Sequence, residues 1–398
     1  MKKKKVLVFT GNRAEYGLQY SIIDAIKKHR MLDYKLIVSG AHLEKKFGNT
    51  VNQIKRDGFK ITSLIKLNSF NINNKVYTPI IISDAIKKIA LTLKRIKPDI
   101  VLVNADRFET FAATIASSQM HIPTYHVEGG DITYGGTLDD NVRHAISKLS
   151  NIHFVTNEYS QKNLIKMGEE KWRIFNTGLA SNDLININKL AKISELENFF
   201  KINFDKKIIL FAYHPVYLNK VQFNKDYKVV FRVIEKLLFM KKYNFIATYP
   251  NNDFGSEKII KELVYLSKKY KKNFKLFKSL GNYYFHSLLS MGKKKRLILM
   301  GNSSSGIKES VAFKCPTLNI GSRQDGRLKP NNIIDVNHSF DKILYNIDKL
   351  FNDKKFFKKC KLTKNPYFKK NTGKKIANII SKIKINKKLI IKKQNFFN

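Results

Sequence analysis

Acid is scarce in this chain, with 31 Asp and Glu against 75 Lys and Arg, so a cluster of carboxylates is informative. The densest lies at residues 126–144, HVEGGDITYGGTLDDNVRH, which places Glu128, Asp131, Asp139, Asp140 and Arg143 between two histidines. Carboxylates gathered this way can carry protons to and from a bound substrate. Gly129, Gly130, Gly135 and Gly136 let backbone come close to a ligand or take positive φ, so the segment reads as a loop. Taken alone, such a loop is more often a surface turn with solvated carboxylates, and other stretches have to decide.

Three do. KPDIVLVNADRFET (97–110) carries an almost wholly apolar run at 100–103, a central parallel strand, with Asp106 and Arg107 just past its carboxyl end. In open α/β sheets that is where ligands bind, so Asp106, Arg107 and the loop after Val127 are expected on one rim. GNSSSGIKE (301–309) follows another buried run; Asn302, Ser303, Ser304, Ser305 and Gly306 offer donors at the start of a helix, where a diphosphate would be held. Glu309, one turn into that helix, suits ribose hydroxyls or is simply a favourable charge near a helix start. A Walker A loop is excluded, because the GK[ST] ending is missing. In GNRAEYG (11–17), Arg13 opens a helix after a short strand and suits an anion; a local ion pair with Glu15 accounts for it equally well.

The elements that must position these residues are strands alternating with helices. Strands are expected at 5–10, 34–40, 100–103, 122–127, 152–157 and 174–178, then, after a weak stretch, at 207–215 (ending in His214), 243–253, 274–280 and from 296. Each is followed by helical spacing, which predicts an α/β protein of two Rossmann-type parallel-sheet domains facing one another across a cleft. The expected boundaries are 1–180 for a domain bearing the acids, 205–362 for a nucleotide-binding domain, 363–383 for a C-terminal helix and 384–398 for a basic, disordered tail. The asparagine-rich residues 66–76 read as a mobile loop.

Composition narrows the classes. A hydrophobic content of 43% is that of a globular protein, and no apolar run is long enough for a bilayer. The start is too short for a signal peptide, and Cys315 and Cys360 show neither metal spacing nor a disulfide framework, so a cytoplasmic protein is expected. The net charge of +44 would suggest nucleic acid, yet it is mostly lysine spread over every segment and accompanied by no nucleic-acid motif. Compositional drift explains it better, so no specific nucleic-acid partner, membrane partner, metal or cofactor is expected.

Read in order, GNRAEYG, FGNT (47–50), ADR (105–107), HVEGGD, DDNVRHAISKLS, MGE (167–169), HP (214–215), YPNND, GNSSSGIKE and GSRQDGR (321–327) resemble the hydrolysing UDP-N-acetylglucosamine 2-epimerases of bacterial sialic-acid synthesis. The resemblance runs from about residue 5 to about residue 380. It implies a GT-B-like fold, a homo-oligomer, and conversion of UDP-N-acetylglucosamine and water into N-acetylmannosamine and UDP. Relatives acting on nucleotide-linked 2,4-diacetamido-trideoxy sugars in legionaminic-acid synthesis are implied as well. By motif, it implies that Asp106 and Glu128 are acid/base carboxylates and Asp139 a third acid. It further implies that Arg13 and His214 lie near the diphosphate, with Ser304, Ser305, Gly306 and Glu309 on the nucleotide. Two departures stand out: Ala105 occupies a position where glycine is expected, and the loop 130–143 is longer by about one residue and differs in sequence, which bears on the sugar. A GT-B glycosyltransferase would share the nucleotide loop but need an acceptor site. A sugar-nucleotide-binding regulator would keep residues 304–309 and have no use for Asp106 and Glu128.

Overall fold

The computed structural model describes residues 3–67, 76–134, 139–187, 190–217, 219–251, 253–294 and 296–393. Gly135, Gly136, most of the asparagine-rich loop and the last five residues lie outside the described residues. The chain divides into two compact units, residues 1–132 with 138–184 and 367–398, and residues 133–137 with 185–366.

The first unit contains β1 (Lys4–Thr10), α1 (Arg13–Lys28), β2 (Leu32–Ser39), α2 (Val51–Arg56), β3 (Ser63–Ile65), α3 (Tyr77–Ile96), β4 (Ile100–Asn104), α4 (Phe108–Gln119), β5 (Thr124–Val127), α5 (Asp139–Leu149), β6 (Ile152–Val155), α6 (Glu158–Lys166) and β7 (Ile174–Asn176). Its seven strands pair in the order β3-β2-β1-β4-β5-β6-β7, and every pairing is parallel. β1 is apolar on both sides because helices cover both faces of the sheet. Val6 and Val8 join α1 in one layer of core, while Leu7 and Phe9 join α3 and α4 in the other.

The second unit follows a short α7 (Leu184–Ile187) and contains α8 (Ile193–Phe200), β8 (Lys207–Ala212), α9 (Lys220–Phe239), β9 (Tyr243–Thr248), α10 (Ser256–Lys269), β10 (Phe274–Phe277), α11 (Gly281–Ser290), β11 (Leu297–Gly301), α12 (Ser305–Lys308), β12 (Thr317–Ile320), β13 (Ile333–Val336), α13 (Phe340–Asn352) and α14 (Lys354–Leu362). Six parallel strands run β10-β9-β8-β11-β12-β13. β3, β12 and β13, of three or four residues each, were not expected from the pattern.

Both sheets are Rossmann-like, and each reverses its direction of growth once, between β1 and β4 and between β8 and β11. At such a switch point the connections leave to opposite sides and open a crevice outside the carboxyl ends of the strands. Arg13 and Asp106 follow β1 and β4, whereas His214 and the serine run follow β8 and β11.

The C-terminal helix is α15 (Thr372–Lys382), and it belongs to the first unit, where Ile376, Ala377 and Ile380 pack with Ile22, Ile23 and Ile26 of α1. The expectation of a disordered tail from residue 384 is corrected for residues 384–393. They include α16 (Lys387–Ile390), bury Leu389 at 1% exposure, and give the carbonyls of Lys388, Leu389 and Ile391 to the buried Arg173 guanidinium. Basic composition suggested disorder, but Lys392 is neutralised by Glu169 at 2.7 Å and Leu389 supplies an apolar anchor. Among the described residues, no helix is long and apolar enough to cross a membrane.

Candidate active site

In the first unit, β4 and β5 are neighbours with Asn104 opposite Val127, and both leave the sheet through a left-handed residue. After β4 it is Ala105, at φ +59°, whose N–H donates to the Val127 carbonyl at 2.9 Å. After β5 it is Glu128 itself, at φ +67°, whose N–H donates to the Phe154 carbonyl at 2.9 Å. Left-handed backbone costs a residue with a Cβ about 1–2 kcal/mol, so these turns are held by their surroundings. Glycine, which the resemblance led us to expect at 105, would take this conformation without that cost.

The brace is His126, fully buried on β5. Its Nε2 lies 2.8 Å from the Ala105 carbonyl, which only accepts, so Nε2 carries the proton and Nδ1 accepts from the Ser147 hydroxyl at 3.0 Å. Burial pushes this imidazole down to about 3, and it is neutral in the working range. Gly129 passes over the brace where a Cβ would come within 2.8 Å of His126 Nδ1, and Gly130, at φ +76°, would bring one within 2.2 Å of the Ser160 carbonyl.

Opposite the two turns stands Arg143 of α5, only 1% exposed. Its Nη2 donates to Asp106 Oδ2 and its Nη1 to Asp140 Oδ1, with a further bond from Nη1 to the Asp131 carbonyl at 3.0 Å. Burial alone would loosen its proton, but Asp106, Asp131 and Asp140 outweigh that and hold the guanidinium more firmly charged than usual. Asp139 and Asp140 open the same helix, and the Asp140 carboxylate accepts from Arg143.

Arg13 is the first residue of α1, half-buried, and burial pulls it down to about 10, so it remains a cation at neutral pH. The cap of that helix is Asn12, which accepts from the Glu15 N–H at 3.1 Å. Glu15 in turn accepts from the Gly11 N–H at 2.7 Å and from the Thr110 hydroxyl at 2.6 Å. This resembles a capping box, with Glu15 reaching the N–H one residue before the cap and tied on to α4, and it fixes the β1–α1 turn that presents Arg13.

In the second unit, Gly301 ends β11 at φ +142°, where a Cβ would lie 2.0 Å from the Ala212 carbonyl. The Asn302 side chain then takes His214 at both ends, accepting from its N–H at 2.7 Å and donating to its carbonyl at 2.9 Å. His214 Nδ1 accepts from the Asn251 N–H at 3.1 Å. Asn302 therefore ties the turn after β8 to the serine loop. Ser303, Ser304 and Ser305 follow in a tight turn, with Gly306 against Thr317.

One expectation changes here. α12 is a single turn, Ser305–Lys308, with a 3₁₀ turn after it, and Glu309 stands at its C-cap rather than one turn inside a helix. A one-turn helix has little macrodipole, so donors of the serine loop, not a dipole, are what an anion would meet. Glu309 is held by His286 of α11, with Nε2 3.0 Å from Oε1.

The family model described as UDP-N-acetylglucosamine 2-epimerase matches residues 24–381. The chain belongs to the UDP-N-acetylglucosamine 2-epimerase family. It is 36% identical over 349 residues to the GDP/UDP-N,N'-diacetylbacillosamine 2-epimerase (hydrolyzing) of Campylobacter jejuni, covering 86% of this chain and 88% of that one. It is 34% identical over 354 residues to the UDP-N,N'-diacetylbacillosamine 2-epimerase (hydrolyzing) of Legionella pneumophila, covering 88% and 90%. The UDP-GlcNAc 2-epimerase of Neisseria meningitidis, crystallised with UDP-GlcNAc, shares the fold with a TM-score of 0.80 at 22% identity, over 95% of this chain and 100% of that one. The GT-B-like expectation for the two sheets thus agrees with the fold of solved 2-epimerases.

In this 2-epimerase family member the structure brings Asp106 together with Arg143 and Asp140, a grouping not expected from the sequence. The signal was present in part, because Asp140 and Arg143 are three apart on one helix and so share a face. His286 had no signal: it lies 23 residues from Glu309 on a different element.

Proposed function

We propose that this member of the 2-epimerase family is hydrolysing, and that it converts a nucleotide-linked 2-acetamido sugar and water into the free manno-configured sugar and a nucleoside diphosphate. A carboxylate takes the C2 proton, the C2–H electron pair becomes the C1=C2 double bond, and the C1–O bond breaks with its electrons leaving on the diphosphate. Water then adds at C1 of this glycal while a proton is delivered to C2 from the other face, which inverts C2. Two proton carriers and a stabilised leaving group are what that sequence requires.

The observation that carries this reading is the pair of left-handed turns on neighbouring strands β4 and β5, which put Asp106 and Glu128 at adjacent strand ends beside a buried guanidinium. In this reading Asp106 and Glu128 move the protons, Asp139 is a third acid, and Arg13 and His214 attend the diphosphate. Ser303, Ser304, Ser305, Gly306 and Glu309 hold the nucleotide, with Asn302 shaping their loop through His214. The protein is read as a cytoplasmic homo-oligomer without cofactor. The names of the two bacterial relatives favour a 2,4-diacetamido-trideoxy sugar, and N-acetylglucosamine is the second substrate to try.

The test is incubation with UDP-N,N'-diacetylbacillosamine and UDP-N-acetylglucosamine in D2O, followed by NMR. Free manno sugar carrying deuterium at C2 is expected. Sugar released with its original C2 hydrogen would overturn the epimerase reading, turnover only with an acceptor would indicate a glycosyltransferase, and binding without turnover a regulator.

A further inference from the structure

We propose that Arg143 is a positioning residue which, held between Asp106 and Asp140, keeps Asp106 as the ionised, proton-accepting member of the acid pair. The inference rests on the reading above that Asp106 transfers a proton. Three observations lead to it. The Arg143 side chain is 1% exposed while those of Asp106 and Asp140 are 17% and 19% exposed, so ligand and solvent meet the carboxylates and the guanidinium acts only through them. A planar guanidinium engages two carboxylates through separate nitrogens set in one plane, which fixes their relative geometry. Its third acceptor is the carbonyl of Asp131, in the same loop that carries Glu128, so one side chain gathers the β4 end, the β5 loop and the start of α5.

The charged and titratable groups around Asp106 decide which way its proton goes. From α5 come Arg143 and Asp140, from the loop after β5 Glu128 and Asp131, and from β5 His126, which is neutral. Arg107 is the next residue. An opposite charge in direct contact favours the ionised carboxylate, while Asp140 and Asp131 oppose it by drawing on the same guanidinium. Asp106 therefore accepts the C2 proton, and Glu128 returns one to the other face.

The experiment follows the Asp106 carboxyl by ¹³C NMR in protein labelled at aspartate, with the signal identified by its absence in Asp106→Asn. The same pH series is run on kcat/KM with a turned-over nucleotide sugar. In Arg143→Met the Asp106 midpoint and the acidic limb of kcat/KM are expected to move up together by about one pH unit or more. In Asp140→Asn, where Arg143 serves one carboxylate fewer, both are expected to move down. If Arg143→Met does not fold, the direction in Asp140→Asn decides. Activity that falls in either variant with both midpoints unmoved, or an upward shift in Asp140→Asn, would overturn the proposal and leave Arg143 a packing residue. Midpoints that move as expected in a protein that turns over no nucleotide sugar would instead sink the epimerase reading and keep the clamp.

Discussion

Asp106 and Glu128 differ in how they are held, and this makes single-atom substitutions informative. Asp106→Asn and Glu128→Gln keep shape and much of the binding but remove the group that accepts or returns a proton, so turnover is expected to drop by roughly a hundredfold or more in each. Steady-state rates near the wild type in both would move the chemistry to other residues. Ala105 offers a stability test at the same site. Glycine there relieves a left-handed alanine but adds freedom to the unfolded chain, for a net gain of up to about 1 kcal/mol. Ala105→Gly should raise the unfolding midpoint in urea, and a lowered midpoint would mean that the turn is not strained. These two acids were legible in the sequence because carboxylates are rare in the chain and each follows an apolar strand. The partnership of Asp106 with Arg143 was not, because the two are 37 residues apart and meet only once α5 has packed beside the β4 end.

Among the elements, the β1–α1 turn carries a pH dependence of its own. Burial, then the neighbouring Glu109, push Glu15 up to about 8 from an ordinary 4.5, against the opposing bonds from Thr110 and Gly11. The folded state thus binds this proton more tightly than the unfolded state does. The stability it contributes is fully present below about 4.5 and is lost as pH rises to about 8. Glu15→Gln, which keeps the cap without a titratable proton, should gain on the wild type across that window in denaturant unfolding; parallel curves would show that Glu15 does not titrate as its surroundings require. In the second unit, Gly301→Ala forces a Cβ against the Ala212 carbonyl where β8 and β11 meet. A loss of roughly 2 kcal/mol or more is expected by calorimetry. All strands but β3, β12 and β13 were legible, down to β7 at three residues, and so was their alternation with helices. The brevity of α12 was not: a serine-rich start has poor helix propensity, but whether it continues depends on the turn around Glu309.

For the whole molecule, the excess of lysine predicts weak polyanion binding that falls steeply with salt, while turnover falls far less. Tight binding of one defined DNA sequence at physiological salt would show that the charge has a specific role. The C-terminal segment gives a second prediction at this scale. Removing residues 384–398 takes away three of the carbonyls around Arg173, the Lys392 ammonium beside Glu169 and the buried Leu389, while Arg173 keeps Glu170 and Glu169 keeps Lys148 and His153. A loss of about 2 kcal/mol or more in the first unit, from the lost hydrogen bonds and the uncovered Leu389 site, is expected in thermal unfolding, with the second unit unaffected. Helical spacing made α15 legible in the sequence; its destination was not, because an apolar face does not name its partner.

That destination sets the order in which the protein can be made and folded. Domains ordinarily fold as they emerge during synthesis, the N-terminal one first. Here the core beside α1 includes Ile376, Ile380 and Leu389, so the unit begun first lacks part of its interior until residue 389 has been translated. The second unit, whose residues all precede 367, can be complete while the first is still waiting. A ribosome that stalls between residues 366 and 376 would therefore release a chain with its serine-loop half intact and its acid-bearing half unfinished.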